Sequence, residues 1–149
     1  MIDIEKQSSF VHSDWTSRKP MEEFELPAGP ESISYIRHKV AVFAHSMSFT
    51  PEQLEDIVLA VGEAASNAVR HGSPLGKQNK IRICCENCEE QLVVRLTDEG
   101  CGFNPCEVKV TGFCELIEGG RGLSFMRMLM DEVSFSFDRG TTVRLVKHL

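Results

Sequence analysis

The feature that most restricts this chain is a helix with a well-marked start. Thr50 can accept from the amide three residues on, Pro51 suits the first helical position, and Gln53 completes a capping box. Leu54, Ile57, Val58, Val61, Ala65, Ala68 and Val69 then recur at helical spacing until Gly72-Ser73-Pro74 ends the run. A long apolar stripe on one side of a helix has to be covered, so the chain must supply a layer for it to pack on. An earlier helix is expected from about Glu31 to Ser46, with Ile33, Ile36, Val40 and Phe43 on one stripe. It follows a short strand, Phe24-Glu25-Leu26, and the turn Pro27-Ala28-Gly29-Pro30. Residues up to about Glu22 are polar, carry the single Trp and show no sustained period, so 1–22 is expected to be a tail or capping segment and 23–149 one domain.

After Pro74 the period becomes two. Ile81-Arg82-Ile83-Cys84 and Leu92-Val93-Val94-Arg95-Leu96 predict a hairpin joined by a polar turn from Glu86 to Glu90. The stretch from Glu99 to Gly120 is Gly-rich and irregular, and so long a loop inside a compact domain is uncommon unless it is functional. A helix from Leu123 to Met130 follows directly on glycines. Val133 to Phe137 alternates, Asp138-Arg139-Gly140 turns, and Thr142 to Val146 forms a last strand. Helices gathered first and paired strands later predict an α/β (α+β) two-layer sandwich, a mixed sheet with helices on one face. At 149 residues a single domain of this kind buries roughly 68–70% of the surface of its unfolded chain and needs no staple.

Several function classes drop out on composition. No run of 18 or more apolar residues exists, so no membrane span is expected, and Met1 to Lys6 lacks the basic-then-apolar order of a secretory signal, which points to the cytoplasm. A formal charge of −6 with scattered Lys and Arg argues against direct nucleic-acid binding. The six cysteines, including the CxxC of Cys85 and Cys88, are expected to be reduced thiols; a zinc site with Cys101 and Cys106 lacks the ribbon spacing.

Three polar features stand where a purely structural sequence would not need them. On the second helix Glu63, Asn67 and His71 are spaced four and four, covering an arc of about 80° on one side. A carboxylate and an amide one turn apart can hold a hydrated Mg²⁺ beside phosphates, or simply form a solvated helix edge. Next, Asp98-Glu99-Gly100-Cys101-Gly102 follows a strand, with glycines that let backbone approach a flat ligand or merely shape a turn. Last, Gly119-Gly120-Arg121-Gly122-Leu123 runs into a helix, whose free amides and dipole suit a phosphate, unless the glycines only loosen the helix start. Neither a Walker loop nor a strand-GxGxxG-helix unit is present.

In this order and separation the features resemble the GHKL, or histidine-kinase-like, nucleotide-binding fold of Bergerat type. The run from Glu63 to Gly72, with Gly120-Arg121-Gly122-Leu123, Met130-Asp131-Glu132-Val133 and the closing Gly140-Thr141-Thr142-Val143-Arg144-Leu145-Val146, is similar to the anti-sigma-factor serine kinases of bacterial partner-switching systems. The match covers about Phe24 to Leu149.

The resemblance implies ATP and Mg²⁺ as ligands. Asn67 would coordinate the metal, Glu63 would orient and deprotonate the attacking hydroxyl, and Asp98 would accept from the adenine amino group. Gly100 and Gly102 would admit the base, Gly120, Arg121, Gly122 and Leu123 would face the phosphates, and Phe103 to Gly119 would form a lid. A carboxylate acceptor opposite guanine's carbonyl would repel GTP. Family members often place a basic residue just before the second glycine box, whereas here Leu116-Ile117-Glu118-Gly119 stands there and the nearest cations are Arg121 and Lys109. The implied activity is phosphorylation of a serine on a small anti-sigma-antagonist (STAS-like) protein, with a sigma factor as the other partner and a possible homodimer. The alternative is a module that binds ATP and sequesters a regulator without transferring phosphate. Glu63 favours the enzyme, since a pure binder has no need of a base beside the metal ligand. A histidine autokinase would need a helical hairpin that the roughly 30 residues before the first helix cannot form.

Overall fold

The computed structural model describes residues 20–100 and 121–149. The described elements are β1 (Met21–Pro27), α1 (Pro30–His45), α2 (Pro51–Arg70), a 3₁₀ turn (Gly76–Gln78), β2 (Lys80–Cys88), β3 (Gln91–Asp98), α3 (Arg121–Leu129), β4 (Glu132–Phe137) and β5 (Thr141–His148). Among the described residues no helix is long and apolar enough to cross a membrane.

The α2 start forms as its sequence requires. Thr50 Oγ1 accepts from the Gln53 amide at 3.1 Å and Gln53 Oε1 accepts from the Thr50 amide at 2.9 Å, an arrangement that stabilises a helix by about 1 kcal/mol. Ile57, Ala60, Val61, Ala64, Ala65 and Ala68 are its buried face. The small residues let α2 lie close to the sheet. Helix α1 packs on one flank of α2 and α3 on the other, so α2 is the middle of the helical layer.

The strands form one sheet in the order β1-β2-β3-β5-β4. All four pairings are antiparallel, not the mixed arrangement expected from the sequence. After α3 the chain makes the edge strand β4 and turns back, which lets β5 insert between β4 and β3 with antiparallel sense. The register aligns Ile83, Leu96 and Val143 across three strands, and with Ile81, Cys85, Leu92, Val94 and Leu145 they build the helix-facing core. Each large aliphatic side chain buried there contributes roughly 1.5–3 kcal/mol. The other face carries ion pairs, Arg95 with Glu86 at 2.9 Å and Arg144 with Glu132 at 3.0 Å. The β2–β3 turn is tighter than the sequence predicts, only Glu89 and Glu90 separating the paired Cys88 and Gln91, with Glu89 in the left-handed region at φ 59.

Candidate functional site

Side-chain direction on α2 decides where Glu63 and Asn67 lie. A Cβ at Gly62 would come within 2.8 Å of Arg37 Cδ, so that side of α2 faces α1. At about 100° per residue, Glu63 and Asn67 stand about 100° and 140° round from Gly62, across the core stripe from α1 and on the flank where α3 packs. Glu63 Oε1 and both amide heteroatoms of Asn67 are buried there, and none has a hydrogen-bond partner among the described residues. Leaving such atoms unsatisfied costs about 1–3 kcal/mol each, and native proteins keep them mainly where a ligand completes the shell. His71 is the exposed C-cap of α2, and its amide closes the last turn by donating to the Asn67 carbonyl at 2.8 Å.

The end of α2 then folds onto the end of β3. The Gly72 amide donates to the carbonyls of Asn67 and Ala68 at 3.3 and 3.1 Å, and Ser73 Oγ donates to the Ala68 carbonyl at 2.8 Å. This wrap sets Gly72 against Asp98, where a Cβ on Gly72 would overlap Asp98 Oδ2. A Cβ on Gly140 would overlap the Asp98 carbonyl oxygen, and one on Gly100 would lie 2.8 Å from the Gly72 carbonyl. Three glycines therefore converge on one carboxylate. Asp98 Oδ1 accepts from the Gly100 and Thr141 amides, each at 3.0 Å, which fixes the carboxylate plane. The neighbouring Glu99 turns away and accepts from the Lys80 amide at 3.1 Å.

Burial pushes the Asp98 carboxyl above its ordinary value, and the Thr141 and Gly100 amides pull it part of the way back. A carboxyl raised in the folded protein favours the native state most at low pH, and that contribution is lost as pH rises from the ordinary value of 3.8 through the raised one. Asp98→Asn keeps an oxygen for both amides and cannot ionise. The variant should therefore equal or exceed the wild type in urea-unfolding stability at neutral pH, an advantage that shrinks on acidification below the carboxylate range. A variant less stable at neutral pH and no worse in acid would contradict this assignment.

The wrap at Gly72 thus ties the end of α2, the helix that carries Glu63 and Asn67, to Asp98 and Gly100 at the end of β3. Helix α3 begins at Arg121, with Arg121 exposed and Gly122 and Leu123 buried. Leu123 belongs to the hydrophobic core, so only its backbone can meet a ligand. Gly102, Gly120, the expected lid from Phe103 to Gly119, Lys109 and Cys101 with Cys106 lie outside the described residues. Cys84 and Cys85 are free thiols, and burial pushes the Cys85 thiol up to about 12, far from reactive thiolate. Gly72, Gly140 and Thr141 are site residues to which the sequence reading assigned no contact. The sequence marks the glycines as a helix stop and a turn and includes them in the runs that carry the family resemblance, but nothing local announces that both abut Asp98.

Among the described residues, an antiparallel sheet covered on one face by three helices, with buried Glu63 and Asn67 atoms lacking partners on the central helix and a glycine-cradled Asp at a strand end, defines an α+β class. Residues 26–147 match the family of the histidine kinase-like ATPase domain, and the chain belongs to that family. The serine-protein kinase RsbW of Bacillus subtilis (strain 168) is 35% identical over 136 residues, 85% of this chain and 84% of that protein. RsbW of Listeria monocytogenes serotype 4b is 32% identical over 84% of this chain and 85% of that protein. Among solved structures, the RsbU and RsbW domains of Rv1364c from Mycobacterium tuberculosis superpose with a TM-score of 0.66 at 20% identity, over 87% of this chain and 32% of that one. The SiaB-SiaC complex from Pseudomonas aeruginosa gives 0.61 at 17% identity, over 97% of this chain and 99% of that one. These two likenesses concern the fold.

Proposed function

We propose that the chain is an anti-sigma factor with ATP-dependent serine protein kinase activity, acting on a small anti-sigma-antagonist protein in a partner-switching system. The observation that carries this reading is that Glu63 Oε1 and the Asn67 amide group, on the α3-facing flank of α2, are buried without a hydrogen-bond partner among the described residues. A metal and a nucleotide fit the residues present: the Asn67 amide oxygen offers a hard donor with no competing partner among the described residues, and Asp98 is a buried carboxylate held in place by two backbone amides. Mg²⁺, when bound through Asn67, would neutralise charge on the phosphates.

The chain's own residues do the rest. Asp98, held by two amides, presents an acceptor to the adenine amino group and opposes a guanine carbonyl with another acceptor. Gly100 admits the base. The amides at the described start of α3, at Arg121, Gly122 and Leu123, would turn the positive end of the helix dipole toward the phosphates. Glu63 orients the substrate serine and accepts its hydroxyl proton as the serine oxygen bonds to the γ-phosphorus and the bond to the leaving ADP breaks. Such transfer has a loose transition state, so positioning matters more than a strong base. The sigma factor, the antagonist substrate, a homodimer and a cytoplasmic location belong to the same proposal, as do Gly102 and Gly120 as contacts for base and phosphate.

Asn67→Ala tests the reading directly. It is expected to abolish Mg-dependent ATP binding in calorimetry while leaving the fold intact, because the lost amide has no partner to strand among the described residues. If heats of binding are the same with EDTA and without it in both proteins, Asn67 is not a metal ligand. Asp98→Asn should in turn weaken ATP and erase its preference over GTP.

A further inference from the structure

Resting on that reading, we infer that Lys147 is a positioning residue that sets the phosphate-binding start of α3 against Glu63 and Asn67. Lys147 lies near the end of β5 on the helix-facing side, in register with Leu92. Its ammonium donates to the Leu129 carbonyl, the last residue of α3, and pairs with Asp56 Oδ2 of α2 at 3.3 Å. The pair is sheltered, the Lys147 side chain being 12% exposed. A cation at a helix C-terminus satisfies a carbonyl that has no intrahelical partner and complements the dipole.

The place of Asp56 makes this more than a cap. On α2, Asp56, Glu63 and Asn67 fall within an arc of about 40°, so Lys147 grips the same flank that carries the two unpartnered polar groups. The neighbouring residue reinforces the grip. The His148 amide donates to Asp131 Oδ2 at 2.6 Å, just past α3, and Gln53 Nε2 of the capping box donates to the His148 carbonyl at 3.3 Å. The Asp131 amide donates to the Val146 carbonyl at 2.9 Å. The end of β5 is thus a buckle joining the first turns of α2 to the last turn of α3. A nine-residue helix is a rigid rod of about 13 Å. With its C-terminus fixed in angle and height its N-terminus is aimed, and with that end loosened the N-terminal amides swing away from Glu63 and Asn67.

The adenine end of the site, at Asp98, Gly72 and Gly140, shares none of these bonds, which provides the test. Lys147→Met keeps the aliphatic stem and removes the charge, and Lys147→Met with Asp56→Leu also removes the stranded carboxylate, so that at least one variant folds. In both, the affinity for ATP should fall about tenfold or more, the loss of a charge-assisted contact, while adenosine affinity stays within about twofold of wild type. Lys147→Arg should restore ATP affinity. Amide exchange across Arg121–Leu129 should speed up in the Met variants and stay unchanged in α1. Parallel loss of ATP and adenosine, or unchanged affinity for both, overturns the inference, as does unchanged exchange in α3. A wild-type protein that binds neither ligand defeats the proposed function instead, and the exchange measurement still decides whether Lys147 holds α3.

Discussion

Glu63→Gln is expected to bind Mg-ATP as the wild type does while transferring phosphate to a partner serine about 10²–10⁴ times more slowly, the range for losing a positioned general base. The substitution is nearly isosteric and keeps an oxygen in the same buried position, so packing between α2 and α3 is preserved. What disappears is the capacity to take a proton at Oε1, an atom that no described residue occupies by hydrogen bonding. Binding and chemistry should therefore separate: calorimetric affinity unchanged, radiolabel transfer to the antagonist protein nearly gone. Undiminished transfer would strip Glu63 of its role and favour a kinase whose substrate supplies its own base. Retained nucleotide binding with no transfer in the wild type as well would favour the binding module over the enzyme.

Gly140→Ala should be nearly as damaging, for a wholly different reason. The new methyl would overlap the backbone carbonyl oxygen of Asp98, and backbone inside a sheet cannot step aside as a flexible side chain does. Either β3 or β5 must shift at its end, at a cost of about 1–3 kcal/mol or more. That shift pulls the Thr141 amide from Asp98 Oδ1. The expected result is a melting temperature several degrees lower together with loss of ATP binding. Gly76→Ala is the control, since Gly76 has φ +58 with no atom near a Cβ; it should cost about 1 kcal/mol through backbone strain alone and leave nucleotide affinity intact. Gly140→Ala binding ATP at wild-type strength would separate the glycine cradle from the site.

Much of the helical layer was legible because its signals are local. The capping box at Thr50 and Gln53 forms as the residues require, and the α1 and α2 boundaries fall within a residue or two of the expected ones. The spacing of Glu63 and Asn67 is a property of helix pitch, so their shared flank followed once the helix was assigned. The sheet was less legible. The hairpin accounts for one antiparallel pair, but nothing local says which strand β5 joins, and only its return beside β3 shows that every described pairing is antiparallel. His71 illustrates a smaller limit: four-residue spacing sets it in line with Glu63 and Asn67, and only the structure shows that it caps α2 and is exposed there.

From the chain of residues alone came the helices, the hairpin, the candidate acids and amides, and the family resemblance, since each depends on neighbours a few positions apart or on short motifs. Tertiary structure alone decided which face of α2 meets α3, that Gly72 and Gly140 close on Asp98 from opposite ends of the sequence, and that Lys147 reaches both Asp56 and the end of α3. Contacts across 91 residues leave no periodic trace, because their energy depends on where whole layers pack and not on the local order of side chains.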